Sequence, residues 1–164
     1  MNIPSSNQII IADYTDSVHA TAIVDMMKLY SLDPMGGGEE LSHFAQQNMV
    51  KALQEIPGAF SVLAFDGNNP VGLINCLPGF STFKCKPLIN IHDVIVKSDF
   101  RGQKITSKML LLVEEVAVRR GCCKLTLEVL EGNASAKTAY TQFGFSGYEL
   151  DPKMGSAMFW DKKI

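Results

Sequence analysis

The chain has 164 residues, of which 46% are hydrophobic and 20% charged, and its formal net charge is −2. This length and composition predict a single globular domain over residues 1–164. The near-neutral charge argues against a nucleic-acid-binding protein, because such proteins usually carry a basic excess. No apolar stretch of about 18 residues predicts a membrane-spanning helix, and the first residues lack the pattern of a signal peptide. We therefore expect a cytoplasmic protein with no membrane or nucleic-acid partner.

The four cysteines do not indicate a metal site or a disulfide framework. Their spacing matches no zinc motif, and the adjacent pair Cys122–Cys123 cannot form an unstrained disulfide. We expect reduced, partly buried thiols at these positions and at Cys76 and Cys85.

The first half of the chain predicts a strand, two helices and a hairpin. Capping residue types precede each helix, and three consecutive glycines favour a mobile connection between them. Turn residues separate the two strands of the hairpin. The predicted elements are a strand over 8–11, a helix starting near 15–17, a helix after Ser42, and strands over 60–65 and 71–77; residues 79–87 show no clear pattern.

The second half predicts strands that alternate with helices. A strand, a helix and a second strand in succession imply a parallel crossover, whereas the hairpin implies an antiparallel pair, so a mixed sheet flanked by helices follows. The predicted elements are a strand over 88–96, a helix over 105–120, a strand over 124–130, a short helix from Asn133 to about 143, and closing strands over 146–150 and 157–161.

The turn RGQKIT at 101–106 lies between a predicted strand and a helix. A helix that begins at such a turn presents unpaired N–H groups and a partial positive charge, which suits a phosphate group. The turn lacks the glycine and Gly-Lys pair of a Walker A loop, and it lacks the GxGxxG of a Rossmann fingerprint. Coenzyme A is the third phosphate-bearing ligand that such a turn can hold.

A second motif decides between these ligands. The spacing N-x-x-A-x-x-x-Y-x-x-x-G-F is complete, and together with the upstream turn it resembles the GNAT superfamily of N-acetyltransferases. Residues 91–145 are also similar to the polyamine acetyltransferase branch. The matching positions are Asn133, Ala136, Tyr140, Gly144 and Phe145.

The upstream motif [RQ]-x-x-G-x-[GA] is matched only in part. Arg101 is present, but Lys104 and Thr106 replace the two small residues. A lysine ammonium can contact phosphate as a point charge, and a threonine hydroxyl can donate a hydrogen bond.

The resemblance implies a fold and a co-substrate. The fold is α/β (α+β), with a mixed, mostly antiparallel twisted sheet of six to seven strands, about four helices and the order βααβββαβαββ. The co-substrate is acetyl-CoA, with no metal. The implied contacts are the backbone of Val94, Ile95 and Val96 with the thioester and pantetheine, the turn Arg101, Gly102, Gln103, Lys104, Ile105 and Thr106 with the pyrophosphate, and Asn133, Ala136 and Tyr140 near the pantetheine arm.

The resemblance also implies catalytic roles. Tyr140 is the expected general acid toward the coenzyme A sulfur, because tyrosine stays protonated at pH 7; the alternative is a packing aromatic. His92 is the expected base; the alternative is a histidine bonded within the sheet. Glu128 is a second candidate base. Asp93 projects to the opposite face from His92 if the strand is regular.

The acceptor site is expected near the loop between the first two helices and near residues 78–87. Glu39 and Glu40 there favour a cationic amine, unless they belong to the first turn of the second helix. The predicted lining residues are Met35, Glu39, Phe80, Phe83 and Glu128.

These expectations converge on an acetyl-CoA-dependent N-acetyltransferase. It would transfer an acetyl group to the primary amine of a small molecule by direct attack on the thioester, as a homodimer. The alternatives are a catalytically silent acyl-CoA-binding module and a peptide or protein N-acetyltransferase.

Overall fold

The computed structural model describes residues 7–148 and 151–164. The chain forms one compact unit up to Leu127 and another from Glu128; the single domain over 1–164 stays a prediction. The elements of the first unit are β1 (Gln8–Ile11), α1 (Ser17–Leu32), α2 (His43–Glu55), β2 (Phe60–Asp66), β3 (Asn69–Ser81), β4 (Lys86–Val96), a 3-10 turn (Ser98–Phe100), α3 (Ile105–Arg119) and β5 (Leu125–Leu127).

Helices α1 and α2 begin where capping residues were predicted. Asp16 caps α1 by accepting hydrogen bonds from Val18 N–H and His19 N–H. The Ser42 hydroxyl oxygen accepts from Ala45 N–H at the start of α2. Each such bond satisfies an N–H group that has no partner within its helix.

The five strands form one sheet in the order β1-β2-β3-β4-β5. Strands β1 to β4 pair antiparallel with their neighbours, and β5 pairs parallel with β4. The predicted antiparallel hairpin and parallel crossover are therefore confirmed, as is the mixed, mostly antiparallel class of the sheet.

Residues 79–87 belong to a long hairpin between β3 and β4, where the sequence shows no clear pattern. Gly79 pairs with Leu88 and Ser81 pairs with Lys86. This end of the hairpin is largely solvent-exposed, so it lacks the apolar alternation that marks a half-buried strand.

The sheet is covered on both faces. On one face, Ile23 and Met26 of α1 join Leu63, Leu73 and Ile95 in one buried cluster. On the other face, α3 approaches the sheet closely: a side chain at Gly72 would meet the sulfur and methyl of Met109 at 3.1 and 3.0 Å. Strand β4 therefore belongs to a sheet that is packed between helices on both faces.

The second unit contains α4 (Ala134–Phe143) and a 3-10 turn (Pro152–Met154). Asn133 caps α4 at the predicted start of this helix, and Gly144 ends it with φ 110°. A left-handed residue at this position is the common way for a helix to end, and glycine adopts it without steric cost.

The closing strands predicted over 146–150 and 157–161 were wrong for the residues that the structure describes, which exclude 149 and 150. The described residues of 144–148 and 151–164 form no strand beyond a single β-bridge residue, Ser156, so the described sheet has five strands and not six to seven. Met158, Phe159 and Trp160 are all at least 73% exposed. Their apolar side chains suggested a strand, but within the described residues they are exposed and cover no sheet. Strand β5 is also shorter than predicted.

Within the described ranges, no helix is both long and apolar enough to cross a membrane.

Candidate active site

Strand β4 contains a bulge at His92. Asn75 on β3 pairs with Asp93, while the next β3 residue, Cys76, pairs with Ile91. His92 is therefore the extra residue that has no partner across the strand pair. A bulge of this kind disrupts the ladder locally and is common beside active sites.

The bulge changes which of the two polar residues lies opposite Asn75. In a regular strand, His92 would lie opposite Asn75 and Asp93 would face the other side. The extra residue instead places Asp93 opposite Asn75, on the sheet face that carries Leu73 and Ile95 under α1. Asp93 is partly buried, whereas His92 is exposed. The predicted orientation of Asp93 assumed a regular strand, and β4 is not regular at this position.

The pairing of β4 with β5 stops just before the bulge. It runs from Ile89 to Ile91 on β4, and beyond Ile91 no described strand lies on this edge. Lys97 N–H donates to Val71 on β3. Because backbone N–H groups alternate between the two edges of a strand, Ile95 N–H also faces β3, and the N–H groups of Val94 and Val96 face the open edge.

A small polar cluster surrounds Asp93. Asn75 Nδ2 donates to Asp93 Oδ2 at 3.0 Å. Burial, and then the negative charges of Asp93 and Asp33, raise the pKa of Tyr30. The carboxylates of Asp93 and Asp33 thus both lie near enough to the Tyr30 hydroxyl, close to the end of α1, to disfavour its ionisation.

Only one of these carboxylates is neutralised by a side-chain cation. Arg101 Nη2 lies 3.1 Å from Asp33 Oδ2, and Arg101 Nε donates to the Val96 carbonyl at 3.2 Å. In the described part of the chain, Asp93 forms no ion pair with a lysine or arginine. Its charge therefore remains available to a cation from outside.

The turn after β4 opens directly into α3. Gly102 and Lys104 both have positive φ, at 78° and 60°. The first helical bond runs from Lys108 N–H to the Lys104 carbonyl, and the Lys104 side chain makes no capping hydrogen bond. The N–H groups at Ile105 and Thr106 therefore have no partner within the helix, which fits the binding of a phosphate group.

The residues of the second motif lie on α4. Asn133 Oδ1 accepts from Ala136 N–H at 3.1 Å, so this asparagine acts as the helix cap. Tyr140 is 8% exposed, and its ring packs edge-to-face on Phe145 with 5.9 Å between centroids. Their roles toward coenzyme A stay predictions.

The predicted acceptor residues occupy three separate places. Met35 and Glu39 lie in the loop after α1, Phe80 and Phe83 lie at the exposed end of the β3–β4 hairpin, and Glu128 follows the end of β5. Phe83 is 99% exposed. The alternative that placed Glu39 and Glu40 in the first helical turn is wrong, because α2 begins only at His43.

Three further residues were missed in the sequence. Asn75, Tyr30 and Asp33 surround or balance Asp93, but none belongs to a recognised motif. Asn75 carried a usable signal, since it is a lone amide within the apolar run VGLINCL. In the residues described, no group of three or more His, Cys, Asp or Glu side chains could hold a metal ion.

The family model described as the acetyltransferase (GNAT) family matches residues 23–145, which is most of the chain. The chain belongs to this family. Its curated relatives include the thialysine N-epsilon-acetyltransferases of Bos taurus, 42% identical over 65 residues, and of Sus scrofa, 41% identical over 56 residues. These matches span 40% and 34% of this chain and only 38% and 33% of the two relatives.

Solved structures of the GNAT fold resemble almost the whole chain. An aminoglycoside acetyltransferase from a soil metagenome, solved with trehalose, has a TM-score of 0.76 and 15% identity, with 99% of this chain and 100% of that one covered. AAC(6')-Iy in complex with a CoA bisubstrate analogue has a TM-score of 0.76 and 13% identity, with 98% and 100% covered. At these identities the likeness shows the fold.

Proposed function

We propose that this GNAT protein is an acetyl-CoA-dependent N-acetyltransferase whose acceptor is a small molecule with a cationic amine. The observation that carries the proposal is the position of Asp93. The bulge at His92 places this carboxylate on the α1 face of β4, one residue before the N–H groups that face the open edge. An acceptor cation and a thioester can therefore be held beside each other, which is the main requirement of acetyl transfer.

The proposed acetyl-CoA site combines two sets of backbone donors. Acetyl-CoA supplies the activated acetyl group as a thioester. The N–H groups of Val94 and Val96 would bond the pantetheine and the thioester carbonyl, which polarises that carbonyl. The first turn of α3 would hold the pyrophosphate through N–H groups and the helix dipole. Arg101 and Lys104 would add positive charge. The complex of a structural neighbour with a CoA bisubstrate analogue supports coenzyme A as the ligand.

The proposed acceptor site is negative. Asp93 has no cationic side-chain partner in the described structure, and its charge adds to burial in raising the pKa of Tyr30. A protonated amine next to Asp93 would form a charge-assisted hydrogen bond. The relatives named for thialysine and the neighbours named for aminoglycosides support an amine acceptor.

Three proton transfers complete the proposed reaction. The ammonium group must lose a proton before its nitrogen can attack, and we assign this proton to His92, which is exposed at the bulge. The new nitrogen–carbon bond then forms as the carbon–sulfur bond breaks, and the nitrogen, now positively charged, loses a second proton to water. Tyr140 would donate its hydroxyl proton to the departing sulfur, since a tyrosine is protonated near pH 7.

The alternative is an acyl-CoA-binding module without turnover. It is favoured by one observation: Lys104 has a left-handed backbone at the position where the family motif has glycine. A turn that keeps the backbone shape of the family motif but has lysine in place of glycine could bind coenzyme A without supporting acetyl transfer. A cytoplasmic homodimer also belongs to the proposal, and sedimentation of the purified protein tests its dimeric part.

The test is incubation with acetyl-CoA and a panel of amines, with the acetylated product identified by mass spectrometry. The panel contains diaminobutane, butylamine, thialysine, an aminoglycoside and an alanine-terminated peptide. The proposal predicts turnover of dicationic small amines and much slower reaction of butylamine. Tight acetyl-CoA binding without any product would favour the binding module, and acetylation of the peptide alone would favour a peptide N-acetyltransferase.

A further inference from the structure

A chain of side-chain hydrogen bonds leads from Tyr14, in the turn between β1 and α1, through the sheet to Asp93. Tyr14 Oη lies 3.0 Å from Ser61 Oγ, Ser61 Oγ lies 2.6 Å from Asn75 Oδ1, and Asn75 Nδ2 lies 3.0 Å from Asp93 Oδ2. Ser61 is 0% exposed and Asn75 is 3% exposed. The middle of the chain is therefore closed to water, although its last member is in the proposed acceptor site.

The direction of every bond in this chain follows from its last member. An ionised carboxylate can only accept, so the Nδ2 group of Asn75 must face Asp93. Asn75 Oδ1 then faces Ser61 and accepts a hydrogen bond from its hydroxyl group. Since that proton is committed, Ser61 can only accept from Tyr14. The donors thus run one way, from Tyr14 to Ser61 to Asn75 to Asp93.

The amide of Asn75 has no freedom to turn. Its oxygen accepts from Ser61, and its nitrogen donates to Asp93 and lies 3.3 Å from the Met27 sulfur. A flipped amide would place its oxygen against the Asp93 carboxylate and its N–H groups against Ser61. That arrangement would place two acceptors together in a buried site, which is costly.

We infer that Asn75 is a positioning residue, which holds Asp93 by Oδ2 so that Oδ1 is directed to the ammonium group of the acceptor. Ser61 and Tyr14 act indirectly. Ser61 bonds to the amide oxygen and so fixes which way the amide faces, and Tyr14 bonds to the Ser61 hydroxyl. A purely structural amide would be satisfied equally well by any acceptor, but this one bonds to Asp93, a carboxylate that forms no ion pair with a lysine or arginine among the described residues. The inference rests on the proposed function, because it assumes an acceptor ammonium at Asp93.

The experiment measures KM for diaminobutane, KM for acetyl-CoA and kcat in Ser61→Ala, Asn75→Leu and Asp93→Asn. We expect Ser61→Ala and Asn75→Leu to raise the diamine KM at least about fivefold, with the acetyl-CoA KM within about twofold, since the loss is confined to the acceptor. In an Asp93→Asn background, Ser61→Ala should add no further increase, because its effect passes through Asp93. Tyr14→Phe should act in the same direction as Ser61→Ala, but more weakly.

Ile74→Val is the matched control. Ile74 is fully buried on the same strand but faces the opposite side of the sheet from Asn75. Ile74→Val should lower Tm without changing the ratio of the diamine KM to the acetyl-CoA KM. If Asn75→Leu does not fold, Ser61→Ala and Tyr14→Phe decide the question, since both remove a hydroxyl and add no atoms.

The two possible failures are distinguishable. If the unchanged protein acetylates diaminobutane but Ser61→Ala and Asn75→Leu keep its KM, or if they lower Tm alone as Ile74→Val does, the positioning role is overturned. An additive effect of Ser61→Ala in the Asp93→Asn background also overturns it. An unchanged protein that binds acetyl-CoA but acetylates no amine overturns the proposed function, and the inference falls with it.

Discussion

Arg101 is held by Asp33, a residue that lies 68 positions earlier in the chain. The ion pair joins the turn before α3 to the end of α1, with 3.1 Å between Nη2 and Oδ2. The same arginine donates to the Val96 carbonyl. A residue of the proposed pyrophosphate site is thus connected both to β4 and to the loop that contains Met35 and Glu39.

Asp33→Asn should strengthen acetyl-CoA binding. The carboxylate partly neutralises Arg101, and its removal leaves the full positive charge for a phosphate. The Arg101 side chain is 57% exposed, so we expect a decrease in Kd of about two- to fivefold, matching an exposed ion pair worth 0.2–1 kcal/mol. Calorimetric titration at low salt measures it, and the effect should shrink as salt screens the charges.

Arg101→Ala is the opposing variant, and it should raise the acetyl-CoA Kd under the same conditions. If Asp33→Asn and Arg101→Ala both weaken binding to the same extent, the pair acts as a unit that shapes the turn. That outcome would contradict the competition between Asp33 and phosphate.

Lys104→Gly should stabilise the protein. Lys104 has φ 60°, a conformation that costs a residue with a side chain about 1 kcal/mol and costs glycine almost nothing. Part of this gain is lost because glycine is more flexible in the unfolded chain, so we expect a net increase in unfolding free energy of roughly 0.5 kcal/mol. Urea unfolding monitored by circular dichroism measures the change.

Gly102→Ala is the matched control in the same turn. Gly102 has φ 78°, and no atom lies within 4 Å of the position that its added methyl group would take. The expected loss of about 1 kcal/mol therefore comes from the backbone alone. A Lys104→Gly protein that is less stable than the unchanged one would show that the lysine side chain makes a stabilising contact.

Tyr140→Phe should lower kcat and leave acetyl-CoA affinity unchanged. The ring that packs on Phe145 is retained, and only the hydroxyl is lost. Loss of a general acid costs about a hundredfold or more. Tyr148→Phe, the same change at an exposed tyrosine of the same unit, should leave kcat as it is. A kcat in Tyr140→Phe within about twofold of the unchanged enzyme would remove Tyr140 as the acid.

The stability of the protein should fall above pH 9 because of Cys76. Burial, opposed by the charge of Arg120 and assisted by that of Asp93, raises the pKa of this thiol from 9.0 to about 12. The unfolded chain then ionises before the folded one, so stability that is complete below pH 9 is lost as pH rises toward 12. The slope from this group is about 1.4 kcal/mol per pH unit.

Urea unfolding of the unchanged protein and of Cys76→Ala between pH 8 and 10 isolates this contribution. Tyr14 and Tyr30 also have raised pKa values, but a tyrosine ordinarily ionises at about pH 10 and above. Cys76→Ala should be less stable at pH 8 and lose less stability by pH 10. Parallel curves for the two proteins would exclude Cys76 as the source.

Much of the fold was predictable, because local signals coincide with the final structure. The caps Asp16, Ser42 and Asn133 use side chains whose hydrogen-bonding atoms lie within three residues of their partners. The same holds for the N-x-x-A-x-x-x-Y spacing, which is a helical spacing on α4. Such features depend only on near neighbours, so the sequence displays them directly.

The central part of the site was not predictable in the same way. The bulge at His92 depends on how β3 and β4 are aligned, and the run IHDVIV contains no residue that announces an insertion. One unpaired residue puts Asp93 opposite Asn75, at the position that a regular strand would give to His92. The grouping of Asn75, Ser61 and Asp93 likewise joins three strands, and no local spacing reports it. The closing strands failed for a related reason, since Phe159 and Trp160 have strand-forming side chains but no described sheet face to cover.

The most direct test of the acceptor site is the KM of Asp93→Asn for diaminobutane, compared with its KM for butylamine and with the same values for His92→Ala. If Asp93 binds the acceptor ammonium, Asp93→Asn raises the diamine KM by about tenfold or more and leaves acetyl-CoA affinity unchanged, since a charge-assisted bond is lost. His92→Ala should instead lower kcat. An Asp93→Asn enzyme with an unchanged diamine KM would contradict the account.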